Sequence, residues 1–339
     1  PGMVKVQSAI TRGLLFKPED AAWLQKAIDA RANEIPRKLA NWAAWPRMFA
    51  TTFDMAAGMI QGLPELARNP VGWARTQLLA FRALLNPNTY KNLMASRINT
   101  YRQWASEGLV VPISNPEMFQ AKAMMPGWVP PKVTGVFGRA QLAFDAFGDD
   151  VRYRTAEALY PIYKKAGRLS ELGDYVSRMT GISGELGISP TQKAWEGALL
   201  FAPRYTRAFV ALIGRAFMGD MAAAEARATL AQMLGAGLVW HTHLADLAGQ
   251  EPNLNPADSR FLSLKLGNSW VGPGSIWIQA MKLFSRTVER PDSWLGDDEL
   301  KPNPLYRFWS GRTAPTISAL IEVLRGKTYL GKELDTPID

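Results

Sequence analysis

Residues 203–249 read PRYTRAFVALIGRAFMGDMAAAEARATLAQMLGAGLVWHTHLADLAG, the most apolar stretch of the chain, and the remaining sequence reads as helices laid around it. At about 100° per residue, Arg204, Arg207 and Arg215 fall on one narrow stripe of a first helix. Phe209, Val210, Ile213 and Phe217 fall on the opposite side, which predicts a one-sided helix with a basic back. Gly219 is placed to stop that helix and Asp220 to cap the next. The second run, Met221 to Leu247, is apolar almost all round: it is alanine-rich from Ala222 to Ala231, then carries Leu230, Met233, Leu234, Leu238, Trp240 and Leu244. It predicts a buried central helix ending at Gly249. A membrane span needs about 20 predominantly apolar residues. The window Ala228 to Ala248 has that length but holds Gln232, His241, His243 and Asp246, and ionisable groups near a bilayer centre each cost a few kcal/mol. A helix buried in protein is the expectation.

Composition sets the frame. A chain of 339 residues, 47% of them apolar, can bury a real core. It has no cysteine, so a disulfide framework and a thiolate metal site are both excluded. The beginning, Pro1-Gly2-Met3, carries no charged-then-apolar signal pattern and reads as a segment of a longer polypeptide. The net charge of +9 is uneven: residues 1–110 hold 14 Lys/Arg against 7 Asp/Glu, so most of the excess lies in the first third. A basic end suits a polyanionic partner, or simple solubility, because these charges are dispersed along helices and form no block.

Three parts are expected along the chain: a basic helical part over 1–110, a Pro/Gly-rich connector over 111–138, and a helical core with a hairpin and tail over 139–339. Lys17-Pro18-Glu19-Asp20 starts a helix bearing Trp23, Leu24 and Ile28. Another follows Pro36, with Leu39, Trp42, Trp45, Phe49 and Phe53 as its apolar face and Pro46 as a kink. Leu63-Pro64 marks a break. Asn69-Pro70-Val71 opens a helix with Trp73, Leu78, Phe81 and Leu85 on its apolar side. Thr89 to Ala105 follows, where Arg97 and Arg102 alternate with Tyr90, Tyr101 and Trp104. Arginines interleaved with aromatics suit nucleic-acid phosphate, and they equally suit amphipathic packing in which long stems cover apolar surface.

Beyond the connector a helix runs from Arg139 to Ala166, bent at Pro161, and a short one lies near Tyr175. Residues 260–271 alternate apolar and polar around Gly267-Asn268, which predicts a β-hairpin near 261–271. Helices over Ser275–Arg290, Pro304–Gly311 and Pro315–Arg325 close the chain. The fold class is therefore mainly α, an elongated multi-helix body with one short hairpin.

The familiar chemical motifs fail on inspection. Gly326-Lys327-Thr328 has Ile321 where a phosphate-binding loop needs its first glycine, and Gly235-Ala236-Gly237 has Trp240 where a dinucleotide fingerprint needs its third. His241 and His243, two positions apart on a helix, diverge by about 200° and cannot share a metal. Asp149 and Asp150 point to different faces of a helix, and no histidine lies outside the 241–243 pair to serve a general-base network. No catalytic residue, metal site or cofactor is expected, and no enzyme.

The order of several loose motifs carries a resemblance. Phe201-Ala202-Pro203-Arg204-Tyr205 enters the long helix pair. Arg260-Phe261 through Gly274 forms a short β-like segment, and Pro315 through Gly331 closes the chain with an apolar helix and a Gly-Lys, aromatic, Gly pattern. Asp150 and Arg154 supply an upstream Asp-x-x-x-Arg helix. Together these resemble the helical C-terminal region of large polyvalent proteins of phages, including internal virion (ejection) proteins of short-tailed phages, over roughly Phe144 to Leu334.

That resemblance implies a structural virion protein, held inside the capsid near the portal and ejected with DNA to help form a genome-delivery conduit. The partners it implies are the portal or other virion proteins, further copies of itself, viral DNA, and the host membrane after ejection. Arg97, Arg102, Arg204, Arg207 and Arg215 are the candidate contacts for phosphate or lipid headgroups, and Val210, Ile213 and Phe217 the candidate oligomerisation residues. The helix pair itself is expected to be buried core before release and an association or membrane-contact element afterwards. The alternative is a nucleic-acid-binding helical module that works through the basic N-terminal part.

Overall fold

The computed structural model describes residues 17–18, 62–113, 131–181, 189–200, 203–272, 276–289, 308–309, 312–313 and 315–326. Of these residues 75% are helical. In chain order the elements are α1 (Leu63–Arg68), α2 (Pro70–Leu85), α3 (Asn88–Ser106), α4 (Pro131–Lys165), α5 (Leu169–Met179), α6 (Pro190–Leu199), α7 (Pro203–Ala216), α8 (Met221–Leu247), β1 (Leu264–Leu266), β2 (Ser269–Val271), α9 (Ile276–Glu289) and α10 (Pro315–Arg325). The protein is mainly α with one two-stranded antiparallel sheet. Apart from Lys17 and Pro18, the helices expected over 17–61 lie outside the described residues, as do most of Pro304–Gly311, the chain after Gly326 and 114–130 of the expected connector.

Local chemistry sets the helix limits. The Asn69 side chain accepts from the Gly72 amide at 2.8 Å ahead of Pro70, Ser189 accepts from Gln192 at 3.1 Å ahead of Pro190, and Asp220 accepts from Ala223 at 2.8 Å. Each cap satisfies a donor that the first helical turn leaves open. The hairpin pairs Leu264 with Val271 and Leu266 with Ser269 across the Gly267-Asn268 turn, with Gly267 at positive φ, and is shorter than the 261–271 expected. Phe261 and Leu262 leave the ladder to pack with Ile278, beside Leu238 of α8. Helix α4 begins at Pro131, inside the expected connector, and continues as one element through Pro161. A proline at the first helical position loses no intrahelical bond, so Pro131 starts the helix at little cost.

The core gathers Trp104 and Leu109 from α3 and its exit, Val151 and Tyr163 from α4, Leu172, Tyr175 and Val176 from α5, Leu212 from α7, and Ala222 and Ala226 from α8. Gly173 admits the segment leaving α3, because a Cβ there would stand 2.6 Å from the Val110 carbonyl oxygen.

Three faces differ from the sequence reading for one physical reason. On α7 the buried side is Ala208, Phe209, Leu212 and Ala216, while Val210 is 55% and Phe217 87% exposed. On α2 it is Gly72, Thr76 and Ala83, while Leu78, Phe81 and Leu85 face out. On α8 it is Ala222, Ala223, Ala226 and Thr229, and the C-terminal half exposes Val239, Trp240 and Leu247. Small residues make up the buried face of α2 and of the first half of α8, and on α7 they flank the buried Phe209 and Leu212. Helix axes separate according to the side chains between them, so alanine, glycine and threonine allow the closest approach, and a tally of large apolar residues picks the wrong side. In addition, α8 is 27 residues long and outruns the shorter α5 and α7 that cover it. It is therefore not buried all round, and among the described residues no helix is long and apolar enough to cross a membrane.

Candidate functional site

The densest polar chemistry lies where α1, α2, α3, α4, α5 and α8 meet. Asp149 and Asp150 sit side by side on α4, both fully buried. They do point to different faces, as a 100° step requires, but α4 is packed on more than one side, so each direction leads to a partner. Asp149 accepts from Tyr90 of α3 at 2.6 Å and pairs with Arg152, which is itself buried and donates to Thr180 at 3.2 Å. Asp150 accepts from Thr76 of α2 at 2.5 Å and Arg154 at 2.7 Å, and pairs with Arg97 of α3. All four carboxylate oxygens have donors. The Arg97 guanidinium also lies over Tyr153, 3.9 Å from the ring centroid, and Tyr153 joins Tyr101 and Trp104 in an aromatic cluster.

A second group adjoins the first. Arg68 reaches from the short α1 to Glu225 of α8 at 2.7 Å, to Thr229 at 3.2 Å and to the Tyr175 hydroxyl of α5, and Tyr175 and Thr229 share a further hydrogen bond at 2.8 Å. Glu65, one turn before Arg68, is buried, and no ion pair reaches it among the described residues. Burial pushes its carboxyl up to about 7; Arg68 and Arg154 oppose the rise, and nearby Asp150 adds to it. The arginines that oppose it are already committed elsewhere, Arg68 to Glu225 and Arg154 to Asp150. Gly72 closes the corner, since a Cβ there would stand 2.9 Å from Glu65 Oε1 and 2.3 Å from the Asn69 amide nitrogen. Burial and the Asp149 carboxylate raise the Tyr90 phenol well above its ordinary range, so that hydroxyl stays a donor.

Chemically, this arrangement ties six helices together and holds one carboxyl, Glu65, able to exchange a proton near neutrality. A surface groove along Trp195, Glu196 and Leu199, and a depression between Glu107, Lys164 and Ser170, are lined by none of these residues. Among the described residues no group of three or more His, Asp or Glu side chains could hold a metal.

The residues singled out from sequence divide sharply. Arg97 enters the network, whereas Arg102 is exposed on the same helix. Arg207 pairs with Glu196, and Arg215 with Asp220 at 2.6 Å and Asp174 at 3.7 Å, so neither forms an uncommitted basic back. Arg204 lies in α7, where only its backbone position is described. Val210 and Phe217 face outward, and Ile213 between them is partly buried. His241 is buried and His243 exposed, in keeping with their divergence on the helix. Glu65, Arg68, Arg152, Tyr175, Glu225 and Thr229 had escaped sequence reading. The legible trace was the i,i+3 and i,i+4 spacing of Asp149 to Arg152 and Asp150 to Arg154.

The chain is thus a helical protein with a buried ionic junction. No protein-family model, curated protein or solved structure matches it.

Proposed function

We propose that this chain is a structural component of a phage virion, an internal protein that associates with the portal and with copies of itself and leaves with the DNA to help form a delivery conduit. The ordered motifs from Asp150 to Gly331 suggest the family. The observation that carries an assembly role is the outward-facing pair Val210, on α7, and Phe217, just past its end, 55% and 87% exposed, with the partly buried Ile213 between them. Contiguous apolar surface of this kind marks association sites. Val210 and Phe217 are exposed in the folded chain, so self-association through them needs no prior release of a buried core. Arg102, exposed and without an ion pair among the described residues, favours nucleic-acid binding by the basic N-terminal part as a second reading.

The test is co-expression of the full chain with a portal protein, followed by electron microscopy and sedimentation. The expected result is a ring-like assembly that Val210→Asp with Phe217→Asp abolishes while the chain stays folded. Assembly indifferent to that pair, or a chain that is monomeric at every concentration, refutes the reading. DNA affinity that falls steeply with salt and is lost on Arg102→Glu supports the second reading instead.

A further inference from the structure

Helix α2 presents two unlike faces. The inner face buries Gly72, Thr76 and Ala83; the Thr76 hydroxyl donates to Asp150 of α4 at 2.5 Å and Ala83 clusters with Ala146 of α4, which fixes the side that α2 turns inward. The outer face carries Val71, Ala74, Leu78, Phe81 and Leu85, all exposed. Their spacing is +3, +4, +3, +4, the repeat by which a helix keeps one seam turned toward a second helix. The seam runs about 21 Å at roughly 1.5 Å per residue. Arg75 and Arg82, each one position after the d-type residues Ala74 and Phe81, flank it. Both are exposed, and neither has an ion pair among the described residues. The opposite flank is Gln77 and Leu84, with no charge.

We propose that the outer face of α2 docks one amphipathic helix of a different protein, apolar along its own seam and acidic on its flank. The period identifies the partner as a helix, and the two arginines supply the charge it must complement. A second copy of α2 fits less well: antiparallel pairing sets the arginine flanks against each other, and parallel pairing sets them opposite Gln77 and Leu84, leaving both charges unanswered. This inference stands apart from the virion reading, and from the exposed Val210 and Phe217 that support it.

The probe is a fluorescent 21-residue peptide of three heptads, leucine at a and d and glutamate at e and g; its glutamates keep it from pairing with itself. Anisotropy with the full chain should show saturable binding that Phe81→Asp weakens about tenfold. Arg75→Glu with Arg82→Glu should weaken it about fivefold and transfer the preference to a lysine-flanked peptide. Because both arginines are exposed, that double variant keeps the test sharp even if Phe81→Asp fails to fold. The proposal is overturned by absent binding, by binding indifferent to charge reversal, by self-association lost on Phe81→Asp, or by anionic vesicles occupying the face in place of the peptide.

Discussion

Arg97 and Asp150, 53 positions apart, form an ion pair in which the carboxylate is wholly buried and the arginine side chain is 12% exposed. The contact joins α3 to α4 across the connector, and Thr76 brings α2 to the same carboxylate. A group that satisfies three helices at once is costly to remove, because each donor left behind is a buried polar atom without a partner.

Asp150→Ala should therefore destabilise the fold by about 3–5 kcal/mol, the usual loss on breaking a buried ion pair from one side. Urea unfolding checks the magnitude. A cycle with Thr76→Val should show coupling between the two positions, since they share a hydrogen bond; additive effects would mean that the network does not act as a unit.

Glu65 should make stability depend on pH in an unusual direction. Its folded carboxyl lies at about 7 against 4.5 for an unperturbed one, so the folded chain holds a proton that the unfolded chain has released. The contribution is complete below about 4.5 and is lost as pH rises to about 7, on the order of 3 kcal/mol in total. The difference in unfolding free energy between wild type and Glu65→Gln, measured from pH 4 to 8, should change by that amount. A pH-independent difference would contradict it.

Val210→Asp and Phe217→Asp should each leave thermal stability within about 1 kcal/mol of wild type, because both side chains already meet solvent. Leu212→Ala, a few positions away and buried, should cost about 2–5 kcal/mol. Circular dichroism melts of the three variants distinguish this face assignment from the reverse one.

Gly173→Ala should destabilise by about 1–3 kcal/mol, an overpacking penalty, since its new methyl would meet the Val110 carbonyl at 2.6 Å and backbone is slow to give way. Gly214→Ala, where a Cβ meets nothing within 4 Å, should stabilise α7 slightly. Equal melting temperatures for the two variants would remove the packing argument.

Helix starts at Asn69 and Asp220, the hairpin turn at Gly267-Asn268 and the mainly α class were all legible in the sequence, because a cap or a turn is decided by residues within a few positions of one another; the helix that Ser189 caps was not expected. The orientation of each helix was not. Which side of α2, α7 or α8 turns inward depends on how closely a neighbour can approach, and that is settled by Gly72, Ala83, Ala208, Ala216 and Ala226, whose small side chains weigh little in an apolar pattern. The candidate site shows the same division. The pairing of Asp150 with Arg154 is visible as an i,i+4 spacing, whereas Arg97, Thr76 and Glu65 come from separate helices. Only the packing of those helices around α4 decided that a carboxylate 53 residues away would claim Arg97, because a buried charge takes whatever partner the tertiary fold brings within reach.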